Sequence, residues 1–566
     1  MKSQQLAIFE AKELSSEKLR GGYYTPVEIT DFLCKWAIRN SNEKILEPSC
    51  GDGIFIESAI KRLKQLKTKH DKISNQILGI ELLKEEASKA HGRAKNFLNG
   101  KAGSPIQNSD FFSFVQENLI NSEKRARQFI KQFDVVIGNP PFIRYQNFPE
   151  EHRKIAFTLL EDVGFSANKL TNIWLPFLII SSHLLKDTGR LAMVIPSELF
   201  QVKYAAEARK YLSDLFENIT IISFKKLVFK GIQQEIVLLL CNKVASRSKK
   251  GIQCIELNDL NDLTTLQDGK LNKTEVKPID HSQDKWTQYY LTTDEILFLR
   301  KIKQSNNIKL AKNYISVDVG LVTGRNDYFL LTKEELHRRK LQRHVQKIVG
   351  KSEQLSGLIF NTNDWQKHLD KGIPMSMFYP SKSKKNGNSE NVLEYIKLGE
   401  KHKINLGYKC SIRKQWYEVP SVWVPDGFAL RQVHWYPKLI LNNTEAVSTD
   451  TIHRIKFING VPGKHLVSAF VNSLTFAFSE ITGRSYGGGV LTFEPSEVEE
   501  LPLPISNAEK INIEMVDVLL REKKINEALL ITDALLLKKG YGFNDDEIKM
   551  LKGIWEKLRD RRINRR

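Results

Sequence analysis

From residue 44 to residue 242 the chain alternates short apolar, β-branched runs with longer stretches of helical period. Residues 44–47, 76–81, 133–138, 191–196, 219–224 and 235–240 read as buried strands. Between them fall helices near 54–65, 84–97, 170–185 and 197–216. Ahead of the first strand, Ile29, Phe32, Leu33 and Trp36 recur at helical spacing behind Thr25-Pro26, which is expected to cap that helix, with the proline at its first position. The strands near 219–224 and 235–240 leave no room for a helix between them and should pair antiparallel. The pattern predicts an α/β fold with a mostly parallel sheet closed by a reversed β-hairpin strand.

Polar residues rich in Lys, Asn and Asp fill 243–285 without a clear period. Aromatics among basic and turn residues follow to about 505, with exposed basic loops expected at 320–326 and 409–416 and a glycine-rich loop at 483–489. The last sixty residues read as helices. The expected division is a catalytic domain over 1–245, a linker over 246–285, a mixed α/β recognition domain over 286–505 and a helical basic region over 506–566.

Charge sharpens this picture. The 566 residues carry a formal net charge of +20, of which +13 falls beyond residue 240. Such an excess suits a polyanion. Five scattered cysteines, with no Cys-x-x-Cys pair, argue against a zinc site or disulfide framework and fit a reducing cytosol. No stretch has the length and apolarity to span a bilayer, so no membrane partner is expected.

The candidate chemistry sits at the strand ends. Phe133–Gly138 runs into Asn139-Pro140-Pro141-Phe142. Two prolines stiffen the turn and bias the residue before them to extended backbone. An amide side chain, carbonyls and an aromatic ring are thereby aimed into one space. A carboxamide oxygen with a backbone carbonyl can accept both hydrogens of an exocyclic amino group, and a ring beside them can stack on the base that carries it. Glu47, Glu81 and Asp110 each follow a strand signal, and Phe111 follows the third acid. Gly51-Asp52-Gly53 lets the backbone approach a ligand ahead of a helix. A carboxylate at Glu47 is badly placed for a pyrophosphate and well placed for a cation or an ammonium group. Glu81 suits ribose hydroxyls, and Asp110 with Phe111 suits an adenine ring.

Taken in order, Tyr24-Thr25-Pro26, Leu46-Glu47-Pro48-Ser-Cys-Gly-Asp-Gly, Glu81, Asp110-Phe111, Asn139-Pro-Pro-Phe142 and Phe229 resemble the γ-class, TaqI-like N6-adenine DNA methyltransferases of restriction–modification systems. The stretch from Tyr486 through Phe493-Glu-Pro-Ser to Leu501-Pro-Leu-Pro504 resembles the end of their target-recognition domain. The resemblance implies a Rossmann-like fold and S-adenosylmethionine as cofactor, with Thr25, Glu47, Glu81, Asp110 and Phe111 lining its pocket. It implies Asn139, Pro140 and Phe142 at the target adenine and Phe229 on the base's other face. Phe142 stands where a tyrosine is often found, so stacking survives without a phenolic hydroxyl. It further implies double-stranded DNA as substrate, base flipping, a separately encoded cognate endonuclease as functional partner, no metal, and a cytoplasmic setting. N4-cytosine methylation, a protein-glutamine substrate and a non-catalytic DNA-binding specificity subunit are the alternatives. Asn rather than Ser before the prolines, the basic C-terminal region and the intact acids argue against them in turn.

Overall fold

The computed structural model describes residues 24–98, 103–121, 128–143, 147–166, 172–226, 235–264, 266, 275–282, 284–380, 389–486 and 488–564. The chain divides into two compact units, one reaching Tyr290 and the other spanning Leu291–Asn564.

In the first unit, helix α1 (Val27–Ala37) buries Ile29, Leu33 and Ala37 at four-residue spacing, with Phe32 and Trp36 packed at the edge of the same core. Strands β1 (Ile45–Glu47), β2 (Ile77–Glu81), β3 (Ile106–Asn108) and β4 (Phe133–Gly138) follow with helices α2 (Ile54–Gln65), α3 (Lys84–Phe97) and α4 (Phe111–Asn118) between them. After β4 come α5 (Glu150–Asp162), α6 (Trp174–His183), β5 (Leu185–Pro196), α7 (Ala206–Leu215), β6 (Asn218–Phe224), β7 (Ile236–Asn242) and β8 (Gly251–Leu257). They form one eight-stranded sheet in the order β8-β6-β7-β5-β4-β1-β2-β3. All neighbours pair in parallel except β7, which runs antiparallel to both β5 and β6. This is the expected mostly parallel sheet with one reversed strand. Strands buried on both faces explain why 133–138 and 235–242 read as continuous apolar runs rather than alternations.

Three details depart from expectation. Residues 251–257, expected inside a linker, pair along their whole length with β6 as strand β8. The surrounding polar sequence hides a seven-residue strand that lies at the sheet edge, where one neighbour suffices. The helix expected over 197–216 is broken into Glu198–Gln201, a tight turn at Lys203–Ala205, and α7. Pro26, not Thr25, is the residue that precedes the first turn of α1, and no side chain caps that helix.

Order reverses between β1 and β4, so chain connections leave the sheet in opposite directions there. In open α/β sheets, ligands sit outside the carboxyl ends of the strands at this point. Glu47 ends β1, Glu81 ends β2, Asp110 follows β3 and Asn139 follows β4, which places all four along one carboxyl edge.

The second unit holds a mixed five-stranded sheet and smaller sheets, with helices around them. Two of the helices are α8 (Ser473–Thr482) and α9 (Asp545–Ile563), which pack against each other. Residues 506–564, expected as a separate helical region, belong to this same unit. Among the described residues no helix is long and apolar enough to cross a membrane.

Candidate active site

The loop after β1 is tied down from three directions. Cys50 N donates to Ile80 O at 2.9 Å, and Gly51 N donates to Glu81 Oε2 at 2.9 Å. Arg93 on α3 donates to Asp52 Oδ2 at 2.6 Å and to Glu57 Oε2 at 2.8 Å. Gly53 has φ +85°, and a Cβ there would stand 2.8 Å from Ala90 Cα, so only glycine lets α3 pass this close. The loop is a fixed wall rather than a flap.

Behind it lies a cavity of about 360 Å³, within the size range of small-molecule sites. Thr25, Glu47, Gly51, Asp52, Glu81, Asp110, Phe111, Asn139 and Pro141 line it. Residues up to 116 positions apart in sequence are thus brought to one space, and all nine come from the motifs singled out by sequence.

Glu47 is 1% exposed, and its Oε2 has no hydrogen-bond partner among the described residues. Burial, then the nearby charges of Asp52 and Glu81, push its carboxyl well above the ordinary carboxylate range. A buried carboxylate oxygen facing a cavity without a partner calls for a cationic or donor ligand. Glu81 is different: Oε1 accepts from Leu83 N at 2.8 Å and Oε2 from Gly51 N. Burial raises its carboxyl while those amides pull it back. Asp110 opens α4 as its cap, with Oδ1 accepting from Ser113 N at 2.9 Å and from Ser113 Oγ at 3.0 Å. Phe111 is buried and stacks on Phe177 with centroids 5.2 Å apart and planes 15° apart.

Asn139 donates from Nδ2 to Thr25 Oγ1 at 3.1 Å. Because the amide is planar, that bond turns Oδ1 to the opposite side. Its own carbonyl accepts from Ser49 Oγ at 3.4 Å. Pro140 is buried. Phe142 is half-buried and packs against the main core rather than lining the cavity. Phe229 lies outside the described residues.

Sequence reasoning missed several wall residues. Ser49, two residues after Glu47, is one of them. Asn147, Phe148 and Pro149 complete the rim after the proline turn, and Phe177 backs Phe111 from α6. His152 on α5 places Nδ1 3.4 Å from Asp110 Oδ1. None of these carries a spacing signal; Phe177 and His152, which stands behind the wall, arrive through the packing of α6 and α5.

Sheet order, reversed strand and a carboxyl-edge cavity with an acid at each of three successive strand ends define an α/β methyltransferase. Residues 8–318 match the N-6 DNA Methylase family, and residues 283–537 match the Type II methyltransferase M.Eco57I C-terminal domain. The first match spans more than half of the chain, which therefore belongs to the N-6 DNA methylase family: it is a DNA methyltransferase of the restriction–modification type. Type II methyltransferase M.AccI of Acinetobacter calcoaceticus is 22% identical over 513 residues, covering 86% of each chain. Type II methyltransferase M.BstVI of Geobacillus stearothermophilus is 26% identical over 230 residues, 37% of this chain and 39% of that one. The Type IIL restriction-modification enzyme MmeI, solved in complex with DNA, shares the fold with a TM-score of 0.61 at 12% identity, over 94% of this chain and 75% of that one.

Proposed function

We propose that the chain transfers a methyl group from S-adenosylmethionine to the N6 amino group of an adenine flipped out of double-stranded DNA, as the modification enzyme of a type II system. The observation that carries this reading is the single cavity that holds both an unpartnered buried carboxylate at Glu47 and the Asn139 amide at the sheet's reversal point.

When bound, the cofactor supplies an electrophilic methyl on a sulfonium. Glu47 would face its positive charge, Glu81 its ribose, and Asp110 with Phe111 its adenine, with Thr25 also lining that pocket. Those assignments suit a carboxylate lacking a partner, carboxylates with lone pairs left after their amide bonds, and a ring that walls the cavity. Adenine N6 is a weak nucleophile because its lone pair is delocalised into the ring. Asn139 Oδ1 and the Pro140 carbonyl accept its two N–H bonds and favour a more pyramidal nitrogen. Thr25 holds the amide in the orientation that does so. Phe229 is the proposed stacking ring, offsetting part of the base stacking lost on flipping, and Phe142, which packs against the core in the ligand-free chain, would turn from it to share that role. Positioning supplies much of the rate, and no metal or strong base is required of the chain.

The decisive experiment is transfer of labelled methyl from S-adenosylmethionine to unmodified genomic DNA, followed by digestion to nucleosides and mass spectrometry. N6-methyladenine is the expected product. N4-methylcytosine would reassign the base, and cofactor binding without any DNA product would overturn the substrate.

Glu47 gives a second expected result. Its carboxyl is raised in the ligand-free chain, so it binds a proton over a pH window above the ordinary carboxylate value, and a cation beside it favours the ionised form. Binding therefore releases a proton, and affinity rises with pH through that window. Titration calorimetry in buffers of differing ionisation heat reads the proton directly. Glu47→Gln is expected to abolish the release and weaken binding about tenfold, the scale of a hydrogen bond to a charged group. A wild-type proton count in that variant would remove Glu47 from the role.

A further inference from the structure

Leu406, Tyr408 and Ile412 are 66%, 74% and 64% exposed, three of the most exposed large apolar side chains in the described chain, and they fall within seven residues. Their segment is nonetheless firmly built. Ile404–Leu406 and Tyr408–Ser411 form two short helical turns joined at Gly407. Ile404 and Cys410 are buried in the core of the second unit. Cys410 N and Ser411 N both donate to Gly407 O at 2.8 Å. Arg413 donates from Nη2 to Val322 O and Thr323 O, each at 2.8 Å, and its guanidinium lies over the Phe329 ring. Gly324, at φ +87°, lies so close that a Cβ would stand 3.0 Å from Lys409 Cβ. The two basic loops that the sequence singles out separately, 320–326 and 409–416, therefore form one surface.

That surface is rich in cations, with Asp327, paired to Arg325, and Glu400, which accepts from Trp416 Nε1 at 3.3 Å, at its border. Lys401, His402, Lys403, Lys409 and Lys414 are exposed around the apolar trio, and no acid occurs between residues 401 and 417. A rigid apolar tip ringed by cations is poorly suited to bulk water, since patches of this kind mark interaction sites. The cations match phosphates, and the trio matches the apolar parts of nucleic acid, which are base faces, sugar edges and thymine methyls.

We infer that the 404–414 turn enters a groove of the substrate duplex, with Leu406, Tyr408 and Ile412 against the bases and the flanking lysines at the phosphates. Leucine and isoleucine side chains wedge into base steps in DNA-bending proteins. The inference rests on the proposed DNA substrate and deepens it by naming a surface that grips that substrate. The anchoring through Ile404, Cys410 and Arg413 is what such a wedge needs, because a flexible loop would lose ordering entropy on insertion.

The test uses the full chain and the duplex identified by sequencing modified positions in genomic DNA. The triple variant Leu406→Ala, Tyr408→Ala, Ile412→Ala is expected to bind that duplex roughly tenfold or more weakly, the scale of lost base contacts. Its salt dependence should be unchanged, because apolar contacts release no counterions. Lys409→Ala with Lys414→Ala should instead flatten the slope of log affinity against log salt by about 0.9 per lost phosphate contact. Both variants should melt as the wild type does, since every changed side chain is exposed. Wild-type affinity in the triple variant overturns the inference. So does conversion of a wild-type dimer to monomer with DNA binding intact, which would assign the surface to a second copy. Methyl transfer by the wild-type chain is measured separately; its success beside an unaffected triple variant overturns the wedge alone.

Discussion

Asn139→Ala is expected to lower methyl transfer by about 10²–10³-fold, the loss seen when one preorganised polar group is removed from a reacting centre. Cofactor affinity should stay near the wild-type level, because Asn139 sits at the end of β4 and the carboxylates proposed to hold the cofactor follow β1, β2 and β3. The structure adds a graded control. Thr25→Val removes the hydroxyl that accepts from Asn139 Nδ2. It leaves the amide in place but frees it to turn, so the expected loss is about fivefold, the worth of one ordinary hydrogen bond. Single-turnover transfer alongside cofactor titration separates the two effects. Near-normal turnover in the alanine variant would sink the assignment of Asn139, whatever becomes of Thr25.

The largest expected effect on stability lies in the second unit. Arg562 on α9 and Glu480 on α8 form an ion pair in which each side chain is 2% exposed. Arg562 Nε donates to Glu480 Oε2 at 3.0 Å and Nη2 to Oε1 at 2.7 Å, with further bonds to the carbonyls of His434 and Gly489. Arg562→Ala leaves a buried carboxylate and two backbone carbonyls without their donor. The expected cost is about 3–5 kcal/mol, the range for breaking a buried pair from one side. Burial already raises Glu480, and Arg562, ahead of Arg559, pulls it back. Without the arginine the folded carboxyl rises further above its unfolded value. The folded state then holds the extra proton, so the variant's deficit should narrow as pH falls and widen as pH rises. Chemical denaturation at several pH values reads this sign. Arg562→Ala with Glu480→Ala should recover part of the loss, and a double variant as unstable as the sum of its parts would deny the coupling.

How far the site could be read from sequence depended on how local its causes are. The proline turn at 139–141 is dictated by φ restriction within the turn itself, and the acids at 47, 81 and 110 follow strand ends that apolar runs announce. These needed no knowledge of packing. Thr25 shows the limit. Its sequence neighbours offer a helix to cap, and its hydroxyl in fact serves an amide 114 residues away, a pairing that only the completed fold creates. Glu81 was legible as a strand-end acid, but not as the anchor of the Gly51 amide. Phe142 illustrates the reverse: an aromatic after two prolines reads as a stacking ring, and in the ligand-free chain it packs against the core. The recognition surface at 404–414 was half visible. Its charges stand out in the sequence, whereas the exposure of Leu406 and Ile412 depends on which neighbours the fold supplies.

Strand β8 carries a practical meaning for anyone dividing this protein. Every residue of β6 is buried, and β8 pairs with its outer side along all seven positions. A chain ended at residue 245, where the apolar rhythm fades, would strip that partner away. It would present a row of unpaired amides and carbonyls on an apolar strand, the ready template for edge-to-edge aggregation. An isolated catalytic half stands a chance of solubility only when it carries its own last strand, and the natural place to stop is after Tyr290.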